Sequence, residues 1–443
     1  MSSRAPAPAR PGPGPLPRLS GWYDHHRSGR TLAIAWVLTR LLSLAVLAAA
    51  ERFVIGDVLY YHRKIRALFD VGLERTLNEY PTPVTWILWL PYGVTGGSRV
   101  GYLIAFIAFM LALDAAFTVA LFRSSGRRHT RAADFWLVFV LLIGPLSYLR
   151  FDILPAVLAG GALLAARRRP WLTGALTGLG AAVKLWPALL IGSFLAHRST
   201  RKPTAWGFVA VGFGLALVSL LAGGWSRLVS PLTWQSDRGL QIESVWATPV
   251  MLARAVSPNG WLVDLSKYQA YEVFGPAVAP LLTLSTLATV LGLVAIVAIF
   301  VRASRNPAPS AVAVGLTILA TVAIMTITNK TLSPQYLLWL GGPMAALLLL
   351  RHDEDPADQR RLARLAAELL GLGLLTHLVY PVCYDGFLGR QGWPMIIVAT
   401  LVTALRNVFL VVFTVQVCRL AWRRLGRHEP AGSRPAPGSE RVG

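Results

Sequence analysis

The sequence predicts an all-α polytopic membrane protein. Hydrophobic residues make up 54% of the 443 residues and charged residues only 14%, with a mean hydropathy of +0.53. Soluble domains carry about 25% charged residues, so a water-soluble globule is excluded. Intrinsic disorder is excluded as well, because it requires low hydrophobicity. The apolar runs are continuous rather than alternating, which favours helices over a membrane barrel.

The chain is strongly basic. Lys and Arg total 43 against 21 Asp and Glu, which gives a formal net charge of +22. In a soluble protein this excess would indicate a nucleic-acid partner. Here it indicates cytoplasmic loops and contact with anionic membrane lipids, and no nucleic-acid partner is expected. The two cysteines exclude a disulfide scaffold and a cysteine-rich metal site.

Both ends of the chain differ in composition from the part between them. Residues 1–30 and 427–443 are rich in Pro, Ala, Gly and Arg, which predicts two disordered cytoplasmic tails. A secretory signal peptide would place an apolar stretch directly after a short basic start, and the N-terminal segment lacks that order. Residues 31–426 are therefore predicted to form one transmembrane domain.

Apolar runs of about 17–25 residues identify membrane spans, and Arg and Lys clusters mark the cytoplasmic side. On this basis we predict about twelve helices with both termini cytoplasmic. The long loops 51–99 and 223–275 then lie outside, with the short apolar piece 84–94 at the membrane surface. The predicted spans are 31–50, 100–122, 133–149, 153–166, 171–183, 185–196, 205–222, 276–301, 310–327, 336–350, 365–382 and 393–418.

This topology sorts the polar residues by side. The inner loops are basic and poor in variety, whereas the outer loops collect the side chains that chemistry would use. We therefore predict a polar site at the outer membrane face. The residues concerned are Asp57, Glu79, Arg150, Asp152, Lys184, Arg238, Gln241, Glu243, Lys330, Gln335 and Tyr384.

Asp57 follows the first predicted helix. A carboxylate fixed at the membrane rim can accept a proton from an incoming hydroxyl, and a rim position suits a membrane-anchored acceptor. The alternative is that Asp57 caps a helix beginning near Val58, since Asp is a favoured N-cap residue.

Two further turns carry cations on the same predicted side. Arg150 and Asp152 form either a local ion pair or part of a site. Lys184 lies among apolar residues and therefore needs a partner or a water-filled cavity, unless it extends to the interface. Together the two turns could hold a phosphate, with Arg binding in bidentate fashion and Lys as a point charge.

The remaining polar segments are weaker signals. Residues 234–244 mix donors, acceptors and charges, and residues 329–339 open a helix where ordinary caps are also expected. Arg40 and Arg406 lie inside predicted spans and are functional candidates, although a helix–helix hydrogen bond is the favoured interpretation of both. His377, near the outer end of a predicted span, could contact a phosphate or simply pack, and packing is the favoured interpretation.

Nucleotide-sugar chemistry is disfavoured by what the sequence lacks. No stretch of about 100 soluble residues exists to form a nucleotide-binding domain. No G-x-x-x-x-G-K-[ST] loop occurs, and the His and Cys spacing offers no zinc site. An activated substrate is therefore expected to arrive through the lipid, and neither a metal nor a cofactor is expected.

An ordered set of segments resembles a known family. The segments are Asp57, Glu79-Tyr80-Pro81, Arg150-Phe151-Asp152, Lys184-Leu185-Trp186-Pro187, Arg238-Gly239-Leu240-Gln241-Ile242-Glu243-Ser244 and Ser333-Pro334-Gln335-Tyr336-Leu337-Leu338-Trp339. Over about residues 31–420 the chain resembles glycosyltransferase family 87, actinobacterial membrane mannosyltransferases that use polyprenyl-phosphate-mannose. One departure is Thr82, where the family often has a second proline.

The resemblance implies a GT-C fold and an inverting mechanism with Asp57 as catalytic base. It implies a polyprenyl-phosphate-sugar donor, a glycolipid or lipoglycan acceptor, and an active site on the outer face of the plasma membrane. Mannose is the implied sugar, with arabinose or another pentose as alternatives. The donor phosphate would meet Lys184, Arg150, Arg238 and Lys330. The sugar or acceptor would meet Glu79, Tyr80, Asp152, Gln241, Glu243, Gln335 and Tyr336.

Two other functions compete with this interpretation. A lipid-linked sugar flippase or transporter would use intramembrane charges such as Arg40 and Arg406, but it would also show matched repeats, and none is evident. A scaffold protein would leave the polar outer loops unexplained. In the transferase hypothesis Trp86 and Trp89 form a lip that faces lipid.

Overall fold

The computed structural model describes residues 28–126, 131–350 and 356–426. The predicted tails lie outside these ranges, except that the first helix already begins at Gly29. In chain order the α-helices are α1 (Gly29–Ala49), α2 (Gly56–Val71), α3 (Thr82–Val94), α4 (Arg99–Ser124), α5 (Arg131–Ile143), α6 (Leu146–Leu149), α7 (Ile153–Ala165), α8 (Pro170–Val183), α9 (Ile191–Phe194), α10 (Arg201–Phe208), α11 (Gly214–Ser236), α12 (Thr248–Val256), α13 (Val278–Arg305), α14 (Ala311–Thr328), α15 (Leu338–Leu350), α16 (Pro356–His377), α17 (Tyr384–Phe387) and α18 (Trp393–Leu425).

Shorter elements join these helices. Two π-helical segments continue α10 and α16, at Val209–Phe213 and Leu378–Val382. The all-α prediction needs one correction, because β1 (Leu262–Leu265) and β2 (Tyr271–Phe274) form an antiparallel hairpin. The 3₁₀ segments are Arg52–Ile55, Leu73–Arg75, Trp186–Leu190, Pro258–Gly260 and Pro334–Leu337.

Seven of the twelve predicted spans correspond to long apolar helices. Within the described residues, seven helices are long and apolar enough to cross a membrane, so the chain is a multi-pass membrane protein. They are Gly29–Ala49, Arg99–Ser124, Arg201–Ser236, Val278–Arg305, Ala311–Thr328, Pro356–Val382 and Trp393–Leu425.

The other predicted spans form shorter helices. α5, α7 and α15 have 13 residues and α8 has 14, which gives about 20 Å at 1.5 Å per residue, less than a hydrocarbon core of about 30 Å. The predicted span 185–196 is only a 3₁₀ turn followed by α9, because α8 ends at the extended residue Lys184 and Pro187 follows.

The second outer loop begins later than predicted. α11 continues to Ser236 rather than ending near residue 222, with a break at Gly224, whose φ of 73° favours glycine. After this break Arg227 is 1% exposed. Its guanidinium donates to the carbonyls of Leu73, Leu77 and Tyr80 at 3.2, 3.2 and 2.9 Å. Arg227 thereby fixes the loop that leads from α2 to α3.

Small residues allow close helix packing at the centre of the bundle. A Cβ added at Gly160 of α7 would lie 2.6 Å from the carbonyl oxygen of Gly342 in α15. A Cβ at Gly174 of α8 would lie 1.9 Å from the carbonyl oxygen of Thr204 in α10. Such contacts are typical of membrane helices, where association depends on close packing.

A buried charged cluster joins α1, α4, α5 and α6. The carboxylate of Asp114 is 0% exposed and accepts from Arg40 Nε at 2.7 Å and from Arg40 Nη2 at 2.9 Å. It also accepts from Trp36, Trp136 and Tyr148 at 2.9, 2.7 and 2.9 Å. The favoured interpretation of Arg40 is therefore confirmed, because its guanidinium forms helix–helix hydrogen bonds from α1 to α4. The cluster also holds Tyr148, which is close in sequence to the candidate site.

Candidate active site

Asp57 lies in the first turn of α2 and pairs with Arg150. The N-cap of α2 is Ile55, and no side chain caps this helix, so the capping alternative is wrong. Arg150 Nη2 lies 2.5 Å from Asp57 Oδ2, and both side chains are partly accessible, at 20% and 27% exposure. The pair joins the first outer loop to the turn between α6 and α7.

A second carboxylate–cation pair joins Asp152, in the same turn as Arg150, to Lys184 at the end of α8. Lys184 Nζ lies 2.6 Å from Asp152 Oδ1, and Trp339 Nε1 donates to the same oxygen at 2.8 Å. Arg150 and Asp152 therefore bind different partners rather than each other. Lys184 is 12% exposed and has a protein partner, so it does not extend to the interface.

Aromatic rings surround the Lys184 ammonium. The centroids of Tyr80, Phe151, Tyr336 and Trp339 lie 5.8, 5.1, 5.4 and 5.0 Å from Nζ. Each lies within about 6 Å, the range of a cation–π contact. The rings of Tyr336 and Trp339 stack with centroids 4.0 Å apart, and the rings of Trp186 and Trp339 stack with centroids 5.2 Å apart. Segments distant in sequence thus converge on one cation.

Burial raises the pKa of two carboxyl groups at this site. For Asp57 the cause is desolvation, with Asp152 acting in the same direction, and the Arg150 charge opposes the rise in pKa. Burial raises the pKa of Glu243 to about 7, although Arg406 and Arg150 oppose the rise. Arg150 therefore influences both carboxyl groups, and both have pKa values moved towards neutrality, as a general base requires.

Two side chains of α18 hold the backbone at Glu243. Arg406 Nη2 and Asn407 Nδ2 of α18 donate to the Glu243 carbonyl at 2.7 and 3.3 Å. Arg406 thus bonds to a loop rather than to another helix, which corrects the favoured helix–helix interpretation. Within the described part of the chain, Glu243 Oε2 and Arg406 Nε and Nη1 are buried without a hydrogen-bond partner.

The two glutamines differ in their bonding. Gln241 Oε1 accepts from the backbone of Leu332 at 2.7 Å, and its amide donates to Ser333 at 3.4 Å. Gln241 therefore joins the second outer loop to the segment before α15. Gln335 is 6% exposed, and its Oε1 has no partner among the described residues.

Arg238 and Lys330 lie in a separate group. Lys330 Nζ donates to the Ser236 carbonyl at 2.8 Å. Burial and the nearby Arg238 charge lower the pKa of Lys330, whereas Glu272 and Asp237 oppose this decrease. In the described structure neither cation pairs with Asp57 or Asp152. The predicted phosphate-binding set is therefore divided between two groups of side chains.

Glu79, between α2 and α3, is hydrogen-bonded to a tyrosine of α2. Glu79 Oε1 accepts from the Tyr60 hydroxyl at 2.8 Å. Tyr80 packs edge to face on Phe151 at 4.9 Å, so this part of the loop lies against the Arg150 turn. On the outside of the same region Trp86 and Trp89 are 37% and 43% exposed on α3.

Three tyrosines lie near the site, and two of them, Tyr61 and Tyr380, were not among the predicted residues. Tyr61 is 1% exposed and packs against Phe151 at 5.8 Å. Tyr380 and Tyr384 pack edge to face at 4.7 Å, and the Tyr380 hydroxyl interacts electrostatically with Arg150. Tyr384 belongs to the polar set that the sequence predicts for the outer loops. For Tyr61 and Tyr380, the sequence signal that could have identified them is their position. Tyr61 lies four residues after Asp57, and Tyr380 lies near the predicted outer end of the span 365–382.

The expectation that His377 only packs is wrong. Its Nε2 lies 2.8 Å from Glu51 Oε1, and its Nδ1 lies 3.2 Å from the Ile143 carbonyl oxygen. His377 thereby connects α16 to the segment that precedes α2.

Comparison with known proteins identifies the family. The sequence profile of glycosyltransferase family 87 matches residues 80–323, more than half of the 443 residues. This match is shorter than the resemblance over residues 31–420, and five candidate site residues lie outside it, namely Asp57, Glu79, Lys330, Gln335 and Tyr336. No curated protein and no solved structure matches the chain. In the ranges that the structure describes, no group of three His, Cys, Asp or Glu residues is placed to hold a metal ion. Because the family profile covers more than half of the chain, the chain belongs to glycosyltransferase family 87, and it is a multi-pass membrane glycosyltransferase.

Proposed function

We propose that this glycosyltransferase transfers a mannosyl residue from polyprenyl-phosphate-mannose to a hydroxyl of a glycolipid or lipoglycan at the outer face of the plasma membrane. The observation that carries the proposal is the Asp57–Arg150 pair beside the Asp152–Lys184 pair. One carboxylate that can accept a proton thus lies close to cations that suit a lipid phosphate.

In the proposed reaction the Asp57 carboxylate takes the proton of the acceptor hydroxyl. The oxygen of that hydroxyl attacks the anomeric carbon from the face opposite the phosphate, so the new glycosidic bond has inverted configuration. The bond between the anomeric carbon and the phosphate oxygen breaks, and its electron pair leaves with the polyprenyl phosphate. The leaving phosphate gains negative charge, which nearby cations stabilise.

Arg150 and Lys184 are the proposed cations for this phosphate. Arg150 Nε is buried without a partner in the described structure, so it remains available to a phosphate oxygen. Lys184 is held by Asp152 and enclosed by aromatic rings, which lowers the local dielectric and strengthens its interaction with an anion. Arg238 and Lys330 would contact the donor from their separate group.

The sugar and the acceptor hydroxyl are assigned to the polar side chains around these pairs. Glu243 and Gln335 each have a buried oxygen without a partner among the described residues, and a sugar hydroxyl would satisfy it. Trp86 and Trp89 on α3 present exposed rings that suit the interface. A donor that diffuses within the membrane would enter along this surface.

The direct test is to incubate membranes containing the chain with polyprenyl-phosphate-[¹⁴C]mannose and to identify the labelled product by mass spectrometry. We expect label in a glycolipid or lipoglycan, with the new linkage inverted relative to the donor. A parallel incubation with a polyprenyl-phosphate-pentose tests the donor sugar. Transfer from GDP-mannose in membranes lacking polyprenyl phosphate, or retention of configuration, would contradict the proposal.

The charge of Arg150 predicts how activity depends on pH. Asp57 must be ionised to accept a proton, so kcat/KM should fall as the pH decreases through the pKa of Asp57. Arg150 lowers that pKa, so Arg150→Gln should raise it and move the acidic limb of the pH profile to higher pH. The measurement is kcat/KM for the labelled donor as a function of pH.

The control for this prediction is Arg238→Gln. Arg238 is also a proposed donor contact, but its charge is not among those that shift the pKa of Asp57. We expect this variant to lower the rate and to leave the midpoint of the acidic limb in place. An Arg150→Gln profile with an unchanged midpoint would argue against Asp57 as the base.

A further inference from the structure

A groove between helices on the surface of the bundle lies far from the candidate active site. It has a volume of about 370 Å³ and lies between α13, α14 and α18, with apolar walls that include Ala295, Ala298, Ile299 and Ile324. This volume lies within the range of about 300–1,000 Å³ that is typical of ligand sites. Along α18, Arg419 is 13 residues beyond Arg406, or about 20 Å at 1.5 Å per residue.

Cations surround one end of the groove. Arg419 and Arg423 line it and are exposed, and neither side chain makes a hydrogen bond or ion pair with another described residue. Trp422 lies between them, and the Arg302 guanidinium lies 4.4 Å from the centre of its ring. Arg302 Nε also donates to the Trp422 carbonyl at 2.9 Å, which fixes the guanidinium beside the groove. Among the described residues, no acidic side chain lines the groove.

We propose that this groove binds an anionic phospholipid. One acyl chain would lie against Ala295, Ala298 and Ile324, and the phosphate would meet Arg419 and Arg423. The groove extends about 6 Å along α13 from Ala295 to Ile299, which is sufficient for the first few carbons of an acyl chain.

The pattern of charge distinguishes this occupant from others. A neutral lipid would leave the cations without counter-charges, whereas a phosphate binds arginine in bidentate fashion. Basic pockets between membrane helices are typical sites for anionic headgroups. A free phosphate ion would leave the apolar walls uncovered, since only a lipid satisfies both parts of the groove.

The test uses the purified full-length chain in detergent, titrated with phosphatidylglycerol or phosphatidylcholine and analysed by native mass spectrometry. Wild-type protein should retain phosphatidylglycerol in preference to phosphatidylcholine. The double variant Arg419→Gln/Arg423→Gln should weaken phosphatidylglycerol binding about 30-fold, since each cation contributes about 1 kcal/mol near an anionic headgroup. Its binding of phosphatidylcholine should not change.

Two further variants separate the parts of the groove. Ala298 is exposed, so Ala298→Trp should fill the apolar part without disturbing the core and should weaken the binding of both lipids. The matched control is Arg360→Gln/Arg364→Gln, which removes two exposed cations from α16 and should leave the lipid preference intact. Thermal unfolding of each variant verifies that it is folded.

Three results would overturn the proposal. The first is equal loss of phosphatidylglycerol binding in Arg419→Gln/Arg423→Gln and in the control. The second is competition by inorganic phosphate together with unchanged phosphatidylglycerol binding in Ala298→Trp, which would show a headgroup site without a chain. The third is lipid-free protein dimers that Ala298→Trp abolishes, which would make the groove an interface between two copies.

Discussion

Asp57→Asn is expected to lower kcat for sugar transfer by about 10²–10⁴-fold, the usual contribution of a general base. Asn has nearly the same shape as Asp but cannot take the proton of the acceptor hydroxyl. Because Arg150 and Lys184 remain, the variant should still bind the donor, so KM for the donor should change far less than kcat. The measurement is steady-state transfer from labelled polyprenyl-phosphate-mannose with purified protein.

A matched substitution in the same helix controls for general effects. Asp70 lies near the end of α2 and is exposed, so Asp70→Asn changes the same side chain without touching the site. We expect transfer within about twofold of wild type, since surface substitutions of this kind change the free energy of unfolding by about 0.5 kcal/mol or less. Both variants should show similar thermal unfolding.

The proposed role of Asp57 fails under two clear outcomes. One is a folded Asp57→Asn protein that retains more than a tenth of the wild-type kcat. The other is a loss of activity that disappears at saturating donor, which would place Asp57 in donor binding rather than in proton transfer. Either result would favour Glu243 as the general base. Burial raises the pKa of Glu243 to about 7.

The convergence of the site could be predicted from the sequence only through the sidedness of its loops. The distribution of Arg and Lys placed Asp57, Arg150, Asp152 and Lys184 on one side, and the structure brings these four together. The pairing could not be predicted, because it depends on the register of α2 against the turn between α6 and α7. Spacing along the chain favours a pair between Arg150 and Asp152, whereas packing gives each residue a distant partner.

The helical membrane class could be predicted from the sequence, but which apolar helices are long enough to cross the membrane could not. Hydropathy identifies a helix such as α15 as apolar, but it cannot distinguish a helix buried among other helices from one that crosses the lipid. α15 shows this difficulty, because its 13 residues are almost all buried within the protein. The β1–β2 hairpin could not be predicted from charge and hydropathy, the two properties that define the long loop 223–275.

Asp114 is clearly signalled by the sequence, although it is absent from the polar residues from which the site was predicted. It lies in the middle of the apolar run that forms α4, and Arg40 lies in the run that forms α1. Two opposite charges inside separate spans predict a pair, because an unpaired charge in the membrane is costly. Recognising that pair would have placed α1 against α4 and removed Arg40 from the transport candidates.

Breaking this pair should destabilise the protein strongly. Asp114→Asn leaves the Arg40 guanidinium, 2% exposed, without its counter-charge. Removing one partner of a buried ion pair costs about 3–5 kcal/mol of unfolding free energy. The variant should therefore unfold at a markedly lower temperature in detergent, measured by circular dichroism, with Asp70→Asn as the control that remains close to wild type.

The double variant Arg40→Met/Asp114→Leu tests the electrostatic cause. If the uncompensated charge dominates, removing both charges should recover more than half of the stability that Asp114→Asn loses. Recovery should stay incomplete, because Trp36, Trp136 and Tyr148 lose their acceptor. Additive losses in the double variant would instead show that each side chain stabilises the bundle through packing.

The same variants connect the cluster to catalysis. Tyr148 donates to Asp114 and stands two residues before Arg150 in the turn that meets Asp57. The double variant should therefore fold but transfer sugar more slowly than wild type, with the loss mainly in kcat because Arg150 is displaced relative to Asp57. Tyr148→Phe, which removes only the hydroxyl, should show the same direction of change with a smaller loss of stability. Wild-type transfer rates in both variants would show that the buried cluster supports the helices alone and has no part in positioning Arg150.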